Sequence, residues 1–280
     1  MNDIAVIKAS GEKVIFDQTK LIQSLERAGA GEDIINEVLS SLDGQLYDGI
    51  PTKKIYRQAY KILNKLSHRN AGRYRLKEAM LELGPSGYPF EHFIGELLRN
   101  QGYTTQVGVV VKGKCVSHEI DVIAENEHNH FMVECKYHSA PGKKSNVIVP
   151  LYIHSRFRDI IATMQNLPGY KTKLHQSWVV TNTRFTTDAI DYGKCSGMNL
   201  ISWDYPADTN LRNRIDRSGL HPVTSLSSLK KAEKQKILSL DIVTCRNLLE
   251  HKSQLLDLGF SARRIEKISL EANRIIHNED

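Results

Sequence analysis

Two short apolar runs with charges set into them constrain this chain more than any other feature. Asp121 stands in Glu119-Ile120-Asp121-Val122-Ile123, and Glu134 and Lys136 stand in Phe131-Met132-Val133-Glu134-Cys135-Lys136. Strand residues two apart share a face, so Glu134 and Lys136 point the same way. A hairpin closed around Asn126–Asn129 brings Asp121 to that side too. A solvated strand pair can also carry Glu-x-Lys. Here Met132, Val133, Cys135 and the neighbours of Asp121 are apolar, and charges in a central hairpin need a reason.

Two carboxylates and an ammonium at one point suit phosphodiester hydrolysis. Carboxylate oxygens are hard ligands that hold Mg²⁺ while leaving positions for water and a substrate phosphate. The metal activates a water and offsets charge on the phosphorus oxygens. A lysine beside it can orient or deprotonate that water and steady the negative transition state.

The rest of the chain falls into three zones. The first has short β-like runs at Ile4–Ile7 and Val14–Phe16, then helical spacing over Thr19–Ala28 and Ile34–Leu42. A further helix follows Pro51, with Thr52 as its expected N-cap. Gly84-Pro85-Ser86-Gly87-Tyr88-Pro89 breaks the pattern and marks a boundary. The second zone opens with an amphipathic helix, Phe90–Asn100. Strand-like runs follow at Thr105–Lys112, Val116–Ala124 and His130–Tyr137, then a helix over Leu151–Met164 and a strand–helix–strand ending at Trp203. That order predicts an α/β sandwich. The third zone, about Leu226–Ile276, is helical and interrupted mainly by Gly259. It is too short and polar for a large core of its own, and forms a small helical module or packs on its neighbours.

The second zone resembles the Mrr-type restriction endonuclease domain of the PD-(D/E)xK superfamily. The resemblance rests on Phe90-Glu91-His92, Leu97 to Tyr103, Glu119-Ile120-Asp121-Val122, Val133-Glu134-Cys135-Lys136 and the later Trp178 to Thr183 with Gly197 to Ile201. It implies an α/β/α domain with a mixed sheet over residues 88–208. It also implies Asp121 and Glu134 as Mg²⁺ ligands, Lys136 as the catalytic lysine and Glu91 as an accessory acid. His118-Glu119 stands where the family often has a glycine turn, and is not assigned a catalytic part.

Residues 1–84 resemble the ATP-cone, a small, mostly helical regulatory nucleotide-binding domain, through Val6-Ile7-Lys8, Gly11, Phe16-Asp17, Lys20-Leu21-Ile22 and Tyr47 to Thr52. The resemblance implies ATP or dATP as a regulatory ligand, with Val6, Lys8, Lys20 and Thr52 as binding residues. Lysines serve phosphates as point charges. Ala9 and Ser10 depart from the basic–acidic pair usual after the first lysine.

Several other signals fail. Gly108 to Cys115 nearly spells a P-loop, but a cysteine replaces the hydroxyl and no helix follows. His128 and His130 lack a third ligand and read as surface histidines. Lys230, Lys231, Lys234 and Lys236 read equally as phosphate contacts or a solvated face. Leu255 to Ser261 is reminiscent of a helix-hairpin-helix without its second glycine, so the module at 222–280 could grip DNA or a protein. The four scattered cysteines make no disulfide or zinc framework, and no apolar run reaches signal-peptide or membrane length. These features predict a cytoplasmic protein with no membrane partner, and the net charge of +6 favours polyanionic partners; the two resemblances imply DNA and an adenine nucleotide. A homo-oligomer is compatible with that reading. The leading expectation is a nucleotide-regulated, Mg²⁺-dependent DNA endonuclease. The alternative is a nucleotide-responsive DNA-binding regulator with a nuclease-like fold that does not cut.

Overall fold

A computed structural model describes residues 4–8 and 10–277 of the chain. They form two compact units. One gathers the chain up to Ala79 with Val223–Ile237 and the chain from Cys245 onward; the other holds Met80–Pro222 and Leu238–Thr244.

In the first unit, β1 (Ala5–Ile7) pairs antiparallel with β2 (Lys13–Ile15). Helices α1 (Gln18–Arg27) and α2 (Glu32–Asp43) follow, then β3 (Ile50–Pro51), α3 (Thr52–Leu66), α4 (His68–Tyr74) and α5 (Leu76–Leu81), which crosses into the second unit. Asp17 caps α1 by accepting from the Thr19 amide at 3.1 Å. The spacing read from the sequence gives the core: Leu21, Leu25, Val38, Leu42, Ala59 and Leu63 pack together. Strand β3 lies parallel to β1, and Asp48 locks the join by accepting from the Ala5 amide and from Lys13, both at 3.0 Å.

The second unit is a three-layer α/β domain. Helix α6 (Tyr88–Asn100) leads into β4 (Thr104–Lys112), β5 (Ser117–Glu125) and β6 (Asn129–Lys136). Then come β7 (Lys144–Ser145), α7 (Ile148–Met164), β8 (Leu174–Thr181), β9 (Arg184–Phe185), α8 (Thr187–Cys195), β10 (Asn199–Ile201) and α9 (Leu211–Ser218). The sheet order is β10-β8-β6-β5-β4, parallel from β10 to β6 and antiparallel beyond. Ile94, Leu97 and Leu98 of α6 meet Trp178, Val180 and Ile201 on one face, while Ile160 of α7 packs with Ile120 and Met132 on the other. The short β7–β9 ladder was not evident from the sequence.

Four helices complete the chain: α10 (Lys231–Leu238), α11 (Cys245–Glu250), α12 (Lys252–Asp257) and α13 (Ala262–His277). They do not stand apart as a free module, because α13 packs on α4 and Gly72 lets Ile275 approach its backbone. Lys234 is neither a phosphate contact nor solvated. It is buried, and its ammonium donates to the Thr224 carbonyl at 2.6 Å. Among the described residues no helix is long and apolar enough to cross a membrane.

One glycine positions the site. Gly108 lies between the pairs Val107↔Val122 and Val109↔Ile120, opposite Asp121, with φ +65°. Before it, Thr105 and Val107 lie against Gly95 of α6; after it, Val109 and Val111 pack toward α7. The strand pair thus changes layers at Asp121. A Cβ at Gly108 would meet nothing within 4 Å, so its cost is purely conformational. Gly108→Ala is expected to lower stability by about 1–2 kcal/mol, seen as a lower urea midpoint with an unchanged slope.

Candidate active site

Strand register brings the predicted residues together. The β5–β6 ladder ends at Val122↔Val133, which leaves Asp121 and Glu134 as the next residue on each strand just beyond it. The Cys135 amide donates to Asp121 Oδ2 at 2.7 Å, fixing that carboxylate beside the strand. Strand β6 is held on its other side by β8, where Lys136 pairs with Thr181 and the Thr181 hydroxyl donates to the Lys136 carbonyl at 2.7 Å. Asn182 then clamps the chain leaving β6, exchanging bonds of 2.9 and 2.8 Å with the His138 amide and carbonyl. Lys136 is exposed and opens on a cavity of about 370 Å³ that Tyr137, His138, Lys143, Pro85 and Gly87 also line.

Glu91 joins this group from the first turn of α6. Its carboxyl is pushed up to about 7 by burial, and then by the negative charges of Asp121, Glu119 and Glu134. Burial raises Asp121, against the pull of the Cys135 amide and Arg156. Burial and the charge of Asp121 raise Glu134 as well. Like charges gathered out of water favour the protonated form, and a cation placed among them would reverse that.

Two participants were not singled out from the sequence. Arg156 on α7 donates to Glu134 Oε2 at 2.9 Å, and both side chains are largely buried. A signal existed: Arg156 lies at helical spacing from Ile153 and Ile160, both buried, and a cation on an apolar stripe calls for a buried anion. Glu119, set aside with His118, contributes its charge to the acidic group. His118 turns away, bonding Asp159 at 2.8 Å, and Asp159 also accepts from the Cys115 and Val116 amides. That network fixes the β4–β5 turn. His130 is corrected: it is wholly buried, edge-on to Tyr170, with its Nδ1 3.3 Å from His175 Nδ1.

The residues predicted to bind a nucleotide lie in the first unit. The parallel register Ile7↔Pro51 sets Lys8 and Thr52 side by side at the ends of β1 and β3, where α3 begins. Thr52 does not cap that helix. Pro51 holds the cap position without a side-chain bond, and Thr52 is the first helical residue. Lys8 pairs with Glu12 at 2.9 Å and Lys20 with Asp17 at 3.1 Å. Val6 is buried with Ile50 and Ile55 and forms the floor. Ser10 is exposed in the β1–β2 turn, and Ala9 lies outside the described residues.

Three family profiles match in succession: the ATP cone domain over residues 4–77, a restriction endonuclease profile over 84–206, and an "AF1548-like, C-terminal" profile over 221–276. An Archaeoglobus fulgidus protein described as uncharacterized is 31% identical over 187 residues, which span 65% of this chain and 99% of that protein. The crystal structure of AF1548, titled a protein of unknown function, matches with a TM-score of 0.57 at 29% identity, over 69% of this chain and 100% of that one. The chain belongs to this AF1548-like family: it carries an Mrr-type PD-(D/E)xK-like domain fused to an N-terminal ATP cone.

The acidic group gives a pH prediction. Glu91 has a folded-state pKa of about 7 against a reference of 4.5. Its protonated form therefore supports the fold below pH 4.5, and that support is lost as pH rises toward 7. In EDTA at pH 8, Glu91→Gln is expected to be more stable than wild type by about 1–3 kcal/mol. Urea titrations of both proteins should show the gap closing near pH 4.5. A gap independent of pH would remove Glu91 from the cluster.

Proposed function

We propose that the protein is a Mg²⁺-dependent DNA endonuclease whose cutting is controlled by ATP or dATP at the cone. The observation that carries this reading is the convergence of Asp121, Glu134 and Glu91, all with raised carboxyl pKa values, beside Lys136. The donor set fits Mg²⁺. Among the described residues no group of three His, Cys, Asp or Glu forms a dedicated metal cage. Mg²⁺ characteristically takes one or two carboxylates, keeps waters and shares substrate phosphate oxygens.

Asp121 and Glu134 would hold the metal, Asp121 through the oxygen that the Cys135 amide leaves free. The bound ion supplies a water of lowered pKa and charge for the phosphoryl oxygens. Lys136, on the same face and open to the cavity, orients the attacking water and steadies the negative phosphorus oxygens. Glu91, with its carboxyl near 7, can take up or release a proton at neutral pH. Lys143 and His138 line the cavity beyond Lys136, where the strand flanking the scissile bond would lie.

At the cone, the start of α3 offers unbonded first-turn amides to a phosphate, with Lys8 beside them. No hydrolytic motif is needed for a regulatory ligand. It acts by binding two states of the protein unequally. One observation favours the non-cutting alternative: Arg156 already neutralises Glu134.

Supercoiled plasmid incubated with Mg²⁺, with and without ATP or dATP, separates the two readings. Wild type is expected to nick or linearise it, and Lys136→Ala to lose about a hundredfold or more in rate. No cleavage of methylated, unmethylated or branched DNA under any nucleotide condition would sink the enzyme reading. For the cone, calorimetry with ATP and dATP should show about tenfold weaker binding by Lys8→Ala, as for a lost charged hydrogen bond. Equal affinities would take Lys8 out of the site.

A further inference from the structure

Helix α3 carries an unusual charge distribution. Its sequence, TKKIYRQAYKILNKL, holds five basic residues and no acidic one, against a net charge of +6 for the whole chain. At about 100° per residue, Lys53, Arg57, Lys61, Lys54 and Lys65 fall within an arc of about 120°. Ile55, Ala59 and Leu63 occupy the opposite, buried side. All five basic residues are exposed.

These charges are also uncompensated. Lys53, Arg57, Lys61 and Lys65 make no ion pair or hydrogen bond among the described residues. Lys54 alone is engaged, donating to the Tyr47 hydroxyl at 3.2 Å with its ammonium 5.0 Å from that ring. Lys53–Arg57, Arg57–Lys61 and Lys61–Lys65 all have the four-residue spacing at which like charges destabilise a helix. Elsewhere in the same unit exposed lysines do find acids: Lys8 with Glu12, Lys13 with Asp48, Lys20 with Asp17.

We propose that the exposed face of α3 binds the phosphate backbone of duplex DNA. The row from Lys53 to Lys65 is about 18 Å long, with steps of about 6 Å between successive charges. Duplex DNA presents a charge every ~1.7 Å of axis, so such a row can track it without reading bases. A single nucleotide at the start of α3 would engage only the first turn. Lys53, Lys54, Arg57 and Lys61 line an open groove of about 740 Å³ with Tyr60, which leaves the row accessible along its length. The inference rests on the nuclease reading for its choice of DNA, and adds a second DNA contact outside the nuclease unit.

The test is fluorescence anisotropy with the full chain in EDTA, in a Lys136→Ala background, on a labelled duplex of about 25 base pairs between 50 and 200 mM salt. The substitutions are Arg57→Gln, Lys61→Gln and Lys65→Gln together, all beyond the first turn of the helix. Removing like-charge repulsion should leave the fold at least as stable, which a thermal melt verifies. Binding is expected to weaken tenfold or more at low salt, and the slope of log K against log salt to fall by about 2–3. ATP binding by calorimetry should not change. Equal affinity and slope would overturn the inference, as would loss of ATP binding with DNA binding intact, which would assign the row to the nucleotide. If the parent binds no duplex, the inference and the nuclease reading fail together. If the substitutions weaken DNA binding but the wild type cuts nothing with Mg²⁺, the surface stands and the nuclease reading falls. If the wild type cuts and the substituted protein binds normally, only the surface is lost.

Discussion

The Cys135 amide bond to Asp121 is the contact on which the site depends. It occurs where the regular β5–β6 ladder stops, so an amide that would otherwise pair along the strand is given to a carboxylate instead. That exchange needs the strand pair to bend, and Gly108 supplies the bend by taking a left-handed φ opposite Asp121. One side of β6 is therefore committed to a carboxylate. The other is held by β8, whose Thr181 hydroxyl fixes the carbonyl of Lys136. Glu134 and Lys136 sit between these two restraints, and their common face follows from strand geometry alone.

Holding carboxylates there opposes stability. Burial raises Asp121, Glu134 and Glu91 together; the charge of Asp121 adds to this at Glu134 and Glu91, and that of Glu134 adds to it at Glu91. Arg156 relieves part of this by pairing with Glu134, whereas among the described residues no cation pairs with Glu91. A half-neutralised group of this kind is poorly explained as a fold stabiliser, because apolar residues in those places would cost less. It makes sense as a receptor for positive charge. The arginine then has two consequences: it offsets part of the negative charge, and any cation that takes Glu134 must compete with it.

Alternation and helical spacing depend only on local geometry, so they were legible. Glu134 and Lys136 were placed on one face from period-two reasoning, and the helices over Phe90–Asn100 and Leu151–Met164 came out with their observed C-terminal ends. The features that were not legible depend on partners distant in sequence. His130 follows a polar turn and looks like a surface residue, but β8 and the segment carrying Tyr170 close over it. Lys234 sits in a lysine-rich stretch, and its burial depends on a carbonyl ten residues away. Thr52 has the chemistry of a cap, but β3 extends through Pro51 and shifts the helix start by one residue. Arg156 was discoverable only by asking why a cation interrupts an apolar helical face.

The nucleotide end raises a separate energetic question. Lys8 and Lys20 are each paired with an acid three or four residues away, in contact with solvent. Both pairs are solvent-exposed and correspondingly weak, so under the proposed function a triphosphate would displace Glu12 and Asp17 at little cost. The same weakness means that breaking these pairs cannot supply the one to three kcal/mol typical of coupling between sites. Control of the proposed cutting would draw on something larger. The chain passes between its two units at four points, after Ala79, Pro222, Ile237 and Thr244. Of the helices that return after the Mrr-type domain, α13 packs against α4 of the cone-bearing unit. A nucleotide that shifted the packing of α3 and α4 would thus act on helices continuous in sequence with both ends of the nuclease domain. Under the proposed function the energy for a switch would lie in that helical packing, with Lys8 and Lys20 serving as its trigger.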